Sequence, residues 1–395
     1  MRNFIFISPN FPTNYWHFCR ELRMNGFRVL GIGDQSYDEL SGELRQALHE
    51  YYKVSSLENY DEVYRAVAFF IFRYGHIDFL ESNNEYWLEM DARLRTDFHI
   101  TSGWQTDDLP RIKYKSRMKE GYAIAGVPFA RFHLVDDYDH CMAFIREVGF
   151  PVIVKPDNGV GASDTHKLNN EDDLRRFLDL RHDCTYIMEE FIHGEIQSYD
   201  AIIDSHGNPV FETGNDTPKS IMDMVNERDN TCFYMQKELP DDIRDAGRRT
   251  VRAFGVQSRF VHFEFFRLLS DQHIGRKGDV VALEVNMRPC GGFSPDMMNF
   301  ANGTDVYKIY ADMIAYDSSL KGQNSHQYCA FIGRRDGRRF ALSNEALSDQ
   351  YASSMRMRLR LPQVLAEGMG DEVFIAVFDT KEEMDAFFHD GVREE

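Results

Sequence analysis

Short apolar runs alternate with helical apolar stripes along the first part of the chain. "NFIFIS" is an apolar run that stops at "PN". "YWHFCRELRMNGF" then carries apolar residues at helical spacing and closes on Gly26 before a second run, "RVLGIGD". "YDEVYRAVAFFIFRYG" repeats the amphipathic helix, and "IDFLESNNEYW" reads as a strand entering a polar loop. Strand, helix and strand in succession predict a parallel sheet covered by helices, an α/β unit over residues 1–110.

From "DDLPRIKYKSRMKEGYAIAGVPFARFHLVDD" onward the pattern predicts a new unit, its first helix ended by Gly126 and Pro128. Helices are expected at "YDHCMAFIREVG", "NEDDLRRFLDLRH" and "DDIRDAGRRTVRAFG". Strands are expected at "PVIVKP", "TYIMEEFI", "IQSYDAIID", "PVFETG", "RFVHFEFFRLL" and "DVVALEVNMRP". Past residue 320 the pattern changes again. Asp336-Gly337 between "QYCAFIGRR" and "RRFAL" predicts a hairpin. "MRMRLRLP" alternates strictly and predicts a half-buried strand, followed by the strand "EVFIAVFD" and the helix "KEEMDAFFHDGV". The expected organisation is 1–110, 111–320 (as 111–185 and 186–320) and a small α+β unit over 321–395.

Composition narrows the class of partner. The chain has 395 residues, 43% hydrophobic, and 64 acidic against 45 basic side chains give it a formal charge of -19. That balance disfavours nucleic acid and anionic membrane and leaves small molecules as the expected partners. Its 6 cysteines lack CxxC spacing, and the N-terminus has the marks of neither a signal peptide nor a membrane span, so a cytoplasmic protein is expected.

The chemistry-bearing positions lie on the predicted strands. In "VHFEFF", His262 and Glu264 share a face; in "ALEVNMRPCGG", Glu284, Asn286 and Arg288 share one. Paired antiparallel, the two strands would form one polar patch. Carboxylates and an amide oxygen are hard ligands suited to magnesium, and an arginine fork suits a phosphate or acyl-phosphate oxygen. A solvated strand face is the competing reading, opposed by the apolar residues between and by the "PCGG" that follows.

Lys155 closes the apolar run of "PVIVKP", and a loop of Gly159, Val160, Gly161, Ala162 and Ser163 follows, whose small residues would let backbone N–H groups face phosphate oxygens. A plain hairpin turn fits that loop equally well, and it is not a Walker loop. Lys115 opens a predicted helix. Taken alone, Lys113, Lys115, Arg117 and Lys119 read as a solvated helix face, and Glu189 and Glu190 of "MEEFIHGE" as exposed.

Together and in this order, Lys115 before "AGVP", "PVIVKP" with its loop, "EEFIHGE", "HFEFF" and "LEVNMRPCGG" resemble the ATP-grasp superfamily over residues 111–320. The likeness is to its carboxylate–amine or thiol ligases and the synthetase halves of the carbamoyl-phosphate synthase large subunit. The resemblance implies an N-terminal parallel α/β domain, an ATP-grasp domain of two α+β subdomains and the small C-terminal α+β domain.

It also implies roles. Lys115 and Lys155 would contact ATP phosphates under the loop of Gly159, Gly161, Ala162 and Ser163. Glu189, Glu190, Phe191 and Ile192 would border the adenine. Glu264, Glu284 and Asn286 would hold two magnesium ions, for which manganese can substitute. Arg288 and Lys155 would serve catalysis, with Arg288 on the transferred phosphoryl group and the acyl phosphate. The ribose-binding glutamate often found after "GE" is Ile196 here, so the resemblance leaves Glu195 for that role. The oligomeric state stays open, with a homodimer among the assemblies to expect, since dimers are common among similar proteins.

The reaction expected from the resemblance is activation of a carboxylate by ATP as an acyl phosphate, capture by an amine such as an amino acid, and release of ADP and phosphate. Asn84 and Glu85 at a parallel strand end, Asp216 and Lys219 in "GNDTPKS", and Arg288 are the substrate candidates. Arg334, Arg335, Arg338 and Arg339 cluster around the predicted hairpin, as a solvated turn or a carboxylate site. Two alternatives stay open: a bicarbonate-activating, carboxylase-like enzyme and a catalytically silent ATP-binding regulator.

Overall fold

The computed structural model describes residues 1–159, 164–180, 183–217, 230–320 and 322–395. Four parallel strands open the chain: β1 (Asn3–Ile7), β2 (Arg28–Gly33), β3 (Glu50–Lys53) and β4 (Phe79–Glu81), in the order β3-β2-β1-β4. β1 is buried along its whole length, as a strand covered on both faces must be. The helix Trp16–Met24 covers one face, and Tyr60–Tyr74, stopped by Gly75 at φ 82°, covers the other.

The second unit is an antiparallel sheet in the order β5-β8-β6-β7, formed by β5 (Phe132–Leu134), β6 (Val152–Pro156), β7 (His166–Leu168) and β8 (Tyr186–Glu190). The helices Tyr138–Val148 and Glu171–Asp179 lay Cys141, Ile145, Leu174 and Phe177 over Val152, Val154 and Met188. That leaves the alternate residues of β6 and β8, Lys155 and Glu189 among them, on the other face.

The remaining strands make one nine-stranded antiparallel sheet: β9 (Gly194–Ile203), β10 (Pro209–Thr213), β11 (Asn215–Thr217), β12 (Thr231–Met235), β13 (Arg259–Leu268), β14 (Val280–Asn286), β15 (Tyr328–Arg334), β16 (Met355–Arg360) and β17 (Glu372–Phe378). Its order is β14-β13-β9-β11-β12-β15-β17-β16, with β10 also on β9. The three strands beyond residue 320 therefore extend the sheet that carries β13 and β14. β16 is an edge strand with the expected alternation, its methionines and Leu359 half-buried and its arginines exposed.

The hairpin predicted at Asp336-Gly337 is not formed. A turn is there, with Gly337 at φ 84°, but β15 already pairs with β12 and β17 on its two sides. "RRFAL" has no free edge to join and makes a single bridge from Phe340 to Glu394. Arg334 is buried and donates to the carbonyls of Gly391 and Leu342 and to Asn344 Oδ1, which makes it a structural residue.

The N-terminal sheet and the large sheet share one core. Phe6, Phe18 and Phe27 belong to the same buried cluster as Phe260, Met297, Tyr310 and Phe331, with the helices Ser294–Asn302 and Val306–Tyr316 between. A buried ionic knot reinforces the junction: Glu81 at the end of β4 accepts from Arg95 at 2.8 Å and pairs with Arg259 of β13 at 2.6 Å. Burial alone would raise the Glu81 pKa, but the guanidinium groups of Arg259 and Arg95 hold it down at about 2. Among the described residues no helix is long and apolar enough to cross a membrane.

Candidate active site

β13 and β14 pair with His262 opposite Asn286 and Glu264 opposite Glu284, and β9 adds Asp200 beside His262 and Ser198 beside Glu264. Residues directly opposite share a face, so six polar side chains form one patch at one end of the sheet. The register slips just after Glu264, where Leu283 is the extra residue of a bulge. Two carboxylates facing each other repel, and each has a cationic neighbour: Lys115 Nζ stands 3.2 Å from Glu284, and His262 Nε2 stands 3.2 Å from Glu264.

His262 is fixed by Asp200, whose Oδ1 lies 2.8 Å from its Nδ1, while the Ser198 hydroxyl donates to the other oxygen of Asp200. Burial would push the imidazole pKa down, but Cys290 and Asp200 hold it well above its ordinary value. Burial likewise pushes Glu264 up, and His262 with the cations around it brings it below the ordinary carboxylate range. His262 was legible as a neighbour of Glu264, but Asp200 gave no signal, because its contact depends on the β9 to β13 register.

Lys115 opens the helix Lys115–Ala125, anchored where its own N–H donates to Asp157 O at 2.8 Å and Ser116 caps onto the Asp157 carboxylate. Its Nζ donates to Gly159 O at 2.8 Å, joining the helix to the start of the small-residue loop. Gly161, Ala162, Ser163 and Lys219 lie outside the described residues.

The solvated-face reading fails for three of the four cations Lys113, Lys115, Arg117 and Lys119, since only Arg117 is exposed, and Lys113 belongs to the preceding helix Leu109–Lys113. Lys113 is buried on Glu89, and Lys119 is buried one turn beyond Lys115. Lys119 and Lys155 flank Glu189, at 2.5 Å and 2.7 Å. Burial opposes charge at Glu189, yet the two ammonium groups hold its pKa at about 2. In the sequence Lys119 reads as one of a run of surface charges, and its spacing of four from Lys115 is the available signal.

Glu190 ends β8 with its carboxylate committed to Arg131, which donates through its backbone N–H at 2.7 Å and its guanidinium at 2.9 and 2.6 Å. The next residue, Phe191, lies beneath the Lys167 ammonium. Ile192 packs with Ala130, Val281 and Phe266, an apolar platform beside the polar patch.

Two expectations are corrected by register. Glu195 is exposed and pairs with Arg267, one residue out of phase with Ser198 and Glu264, so it stands on the opposite face of the sheet. Ile196, opposite Phe266, takes the side of the patch. Asp216 pairs with Gln197 on that same opposite face, where it accepts from Tyr234 at 2.6 Å, Gln197 at 2.8 Å and Gln236 at 2.5 Å.

Arg288 follows β14 and donates to Pro289 O at 2.9 Å and Asn286 Oδ1 at 3.3 Å. Across from it, 3.8 Å from its Nε, is the Glu85 carboxylate. Asn84 instead caps the turn, its Oδ1 accepting from Tyr86 N at 3.0 Å. Burial raises the Glu85 pKa against the pull of Arg288.

No family model matches the chain. Solved structures do, nearly end to end. The L-amino acid ligase of Bacillus licheniformis superposes with a TM-score of 0.70 at 14% identity, over 98% of this chain and 96% of that one. The ADP complex of N5-carboxyaminoimidazole ribonucleotide synthetase gives 0.69 at 12%, over 98% and 95%. The biotin carboxylase domain dimer of the Hydrogenobacter thermophilus 2-oxoglutarate carboxylase, with MgADP, ADP and bicarbonate, gives 0.66 at 14%, over 99% and 89%. In sequence, the carbamoyl phosphate synthase large chain of Vibrio vulnificus is 23% identical over 235 residues, 56% of this chain but only 20% of that protein's length. These likenesses establish the ATP-grasp fold.

Proposed function

We propose that this ATP-grasp chain is an ADP-forming ligase that activates a carboxylic acid as an acyl phosphate and joins it to an amine. The observation that carries the reading is the juxtaposition of Glu264 and Glu284 across β13 and β14, with Asn286 and Arg288 continuing the row and Lys115 reaching into it. A solvated strand face has no use for buried cations converging on it. Nor is such an arrangement expected of a silent regulator, which needs to bind nucleotide but not to neutralise a transferring phosphoryl group.

The donor set fits a hard cation. Glu264, Glu284 and the Asn286 amide are oxygen ligands on one face, so they would hold magnesium in preference to a soft metal. Magnesium bound there supplies positive charge against the phosphate oxygens. The chain's own groups do the rest. Lys115 and Lys155 hold phosphate oxygens, and the platform of Ile192, Ile196, Phe266 and Val281 takes the adenine ring.

Arg288 orients the acid so that its carboxylate oxygen attacks the γ-phosphorus as the bond to ADP breaks. The amine nitrogen then attacks the acyl carbon. A C–N bond forms, phosphate departs with the bonding electrons, and the nitrogen loses its proton to solvent. Glu284→Ala removes a proposed metal ligand from a partly exposed position, so ADP release should fall by at least about 1000-fold with the fold retained. A folded variant with wild-type turnover would refute the reading.

A further inference from the structure

The loop after β4 and the loop after β14 meet as a pre-set pair of opposite charges. Glu85 is buried, and among the described residues its Oε2 is enclosed without a hydrogen-bond donor. Its ion-pair partner, Arg288, stops with Nε at 3.8 Å and bonds Pro289 O and Asn286 Oδ1 through one N–H of each terminal nitrogen, which leaves further donors for a ligand. A buried carboxylate that lacks a donor is incomplete, since its desolvation is not repaid.

Both loops are held rigidly. Asn14 donates to Gly292 O at 3.1 Å and to Asp296 at 2.7 Å, and the Tyr15 hydroxyl donates to Asn83 O at 2.8 Å, so one N-terminal loop ties the Arg288 side to the Glu85 side. The pair lies at the carboxyl end of a parallel strand, where open α/β sheets receive ligands.

A substrate carrying only a carboxylate would satisfy Arg288 and be repelled by Glu85, with Glu264 and Glu284 in the same patch. One carrying an ammonium beside its carboxylate would satisfy both groups and bring no net charge into the site. We propose that the acid activated here is an α-amino acid, its carboxylate held by Arg288 and its ammonium by Glu85. This rests on the ligase reading above and adds the class of the acid.

Hydroxylamine isolates the acid from the natural amine, because it captures any acyl phosphate as a hydroxamate. The enzyme is given ATP, magnesium and hydroxylamine with three metabolite pools: the amines and amino acids retained by a cation exchanger, that same pool after N-acetylation, and the acids that flow through. Hydroxamate and ADP are expected from the retained pool and should drop at least about 100-fold on acetylation, as for a site built around a hydrogen-bonded group.

Glu85→Gln should cut the preference for the free over the acetylated pool to below about tenfold, with thermal unfolding checking that it folds. Hydroxamate formed equally from the acetylated or flow-through pool, or a Glu85→Gln enzyme as selective as wild type, would overturn the assignment of Glu85 while leaving the ligase reading intact. Hydroxamate from no pool would overturn the ligase reading itself.

Discussion

Glu189→Gln is the substitution whose cost can be worked from the structure. The carboxylate is shared between Lys119 and Lys155, and all three groups are buried. It sits at about 2 where 4.5 is ordinary, and at about 1.36 kcal/mol per tenfold in proton affinity the difference amounts to about 3 kcal/mol. Breaking a buried pair by removing one partner costs about 3–5 kcal/mol by mutational experience, so the two routes agree.

The sign follows from the direction of the shift. The folded pKa lies below the unfolded one, so the stabilisation is complete above the unfolded value of 4.5 and is lost as pH falls through about 2. Wild type and variant compared by urea unfolding should differ by about 3 kcal/mol at pH 7 and by about 1.4 kcal/mol at pH 3. A difference below about 1 kcal/mol at pH 7, or one that does not narrow toward pH 3, would mean that Glu189 is not the counterion of the two lysines.

The two corrected positions give a control for the site. Glu195→Gln and Asp216→Asn act on the far face of the sheet and should leave the KM for ATP within about twofold of wild type, as measured by coupled ADP release; a rise of tenfold in either would return that residue to the nucleotide. Gly247 in the helix Asp241–Phe254 has no room for a methyl group, since its Cβ would meet the Tyr199 ring at 2.2 Å. Tyr199 cannot swing aside, being on a central strand with its hydroxyl bonded to Glu212 at 2.7 Å. Gly247→Ala should cost about 2 kcal/mol net of the helix propensity it gains, read as a lowered melting temperature; unchanged stability would mean the helix moves freely over the sheet.

The parallel N-terminal unit, the half-buried strand Met355–Arg360 and the helix opening at Lys115 were legible because each is written in local periodicity. The helices Ser294–Asn302 and Val306–Tyr316 leave no periodic signal in the sequence, because they are apolar over more than one face. Val306, Tyr307, Ile309, Tyr310 and Ala311 are all buried between two sheets, which erases the amphipathic stripe. The hairpin at Asp336-Gly337 failed for a non-local reason, since β15 had both edges taken by strands nearly a hundred residues upstream and about forty downstream.

Within the site, sequence alternation told which residues of one strand share a face, and register between strands decided the rest. It grouped Glu284 with Asn286 and His262 with Glu264, but it could not say that Glu264 meets Glu284 until the two strands were aligned across a bulge. The same alternation, continued to β9 and β11, sends Glu195 and Asp216 to the other face, which a motif read as a string of letters does not reveal. Burial is likewise invisible in a charge run. Lys119 and Lys115 differ from Arg117 only in which side of one helix they occupy, yet two of them meet carboxylates from distant strands while the third meets solvent. A lysine run at a helix start should therefore be judged by its spacing of four, since positions 115 and 119 fall on one helical face and are buried together while position 117 faces away from them.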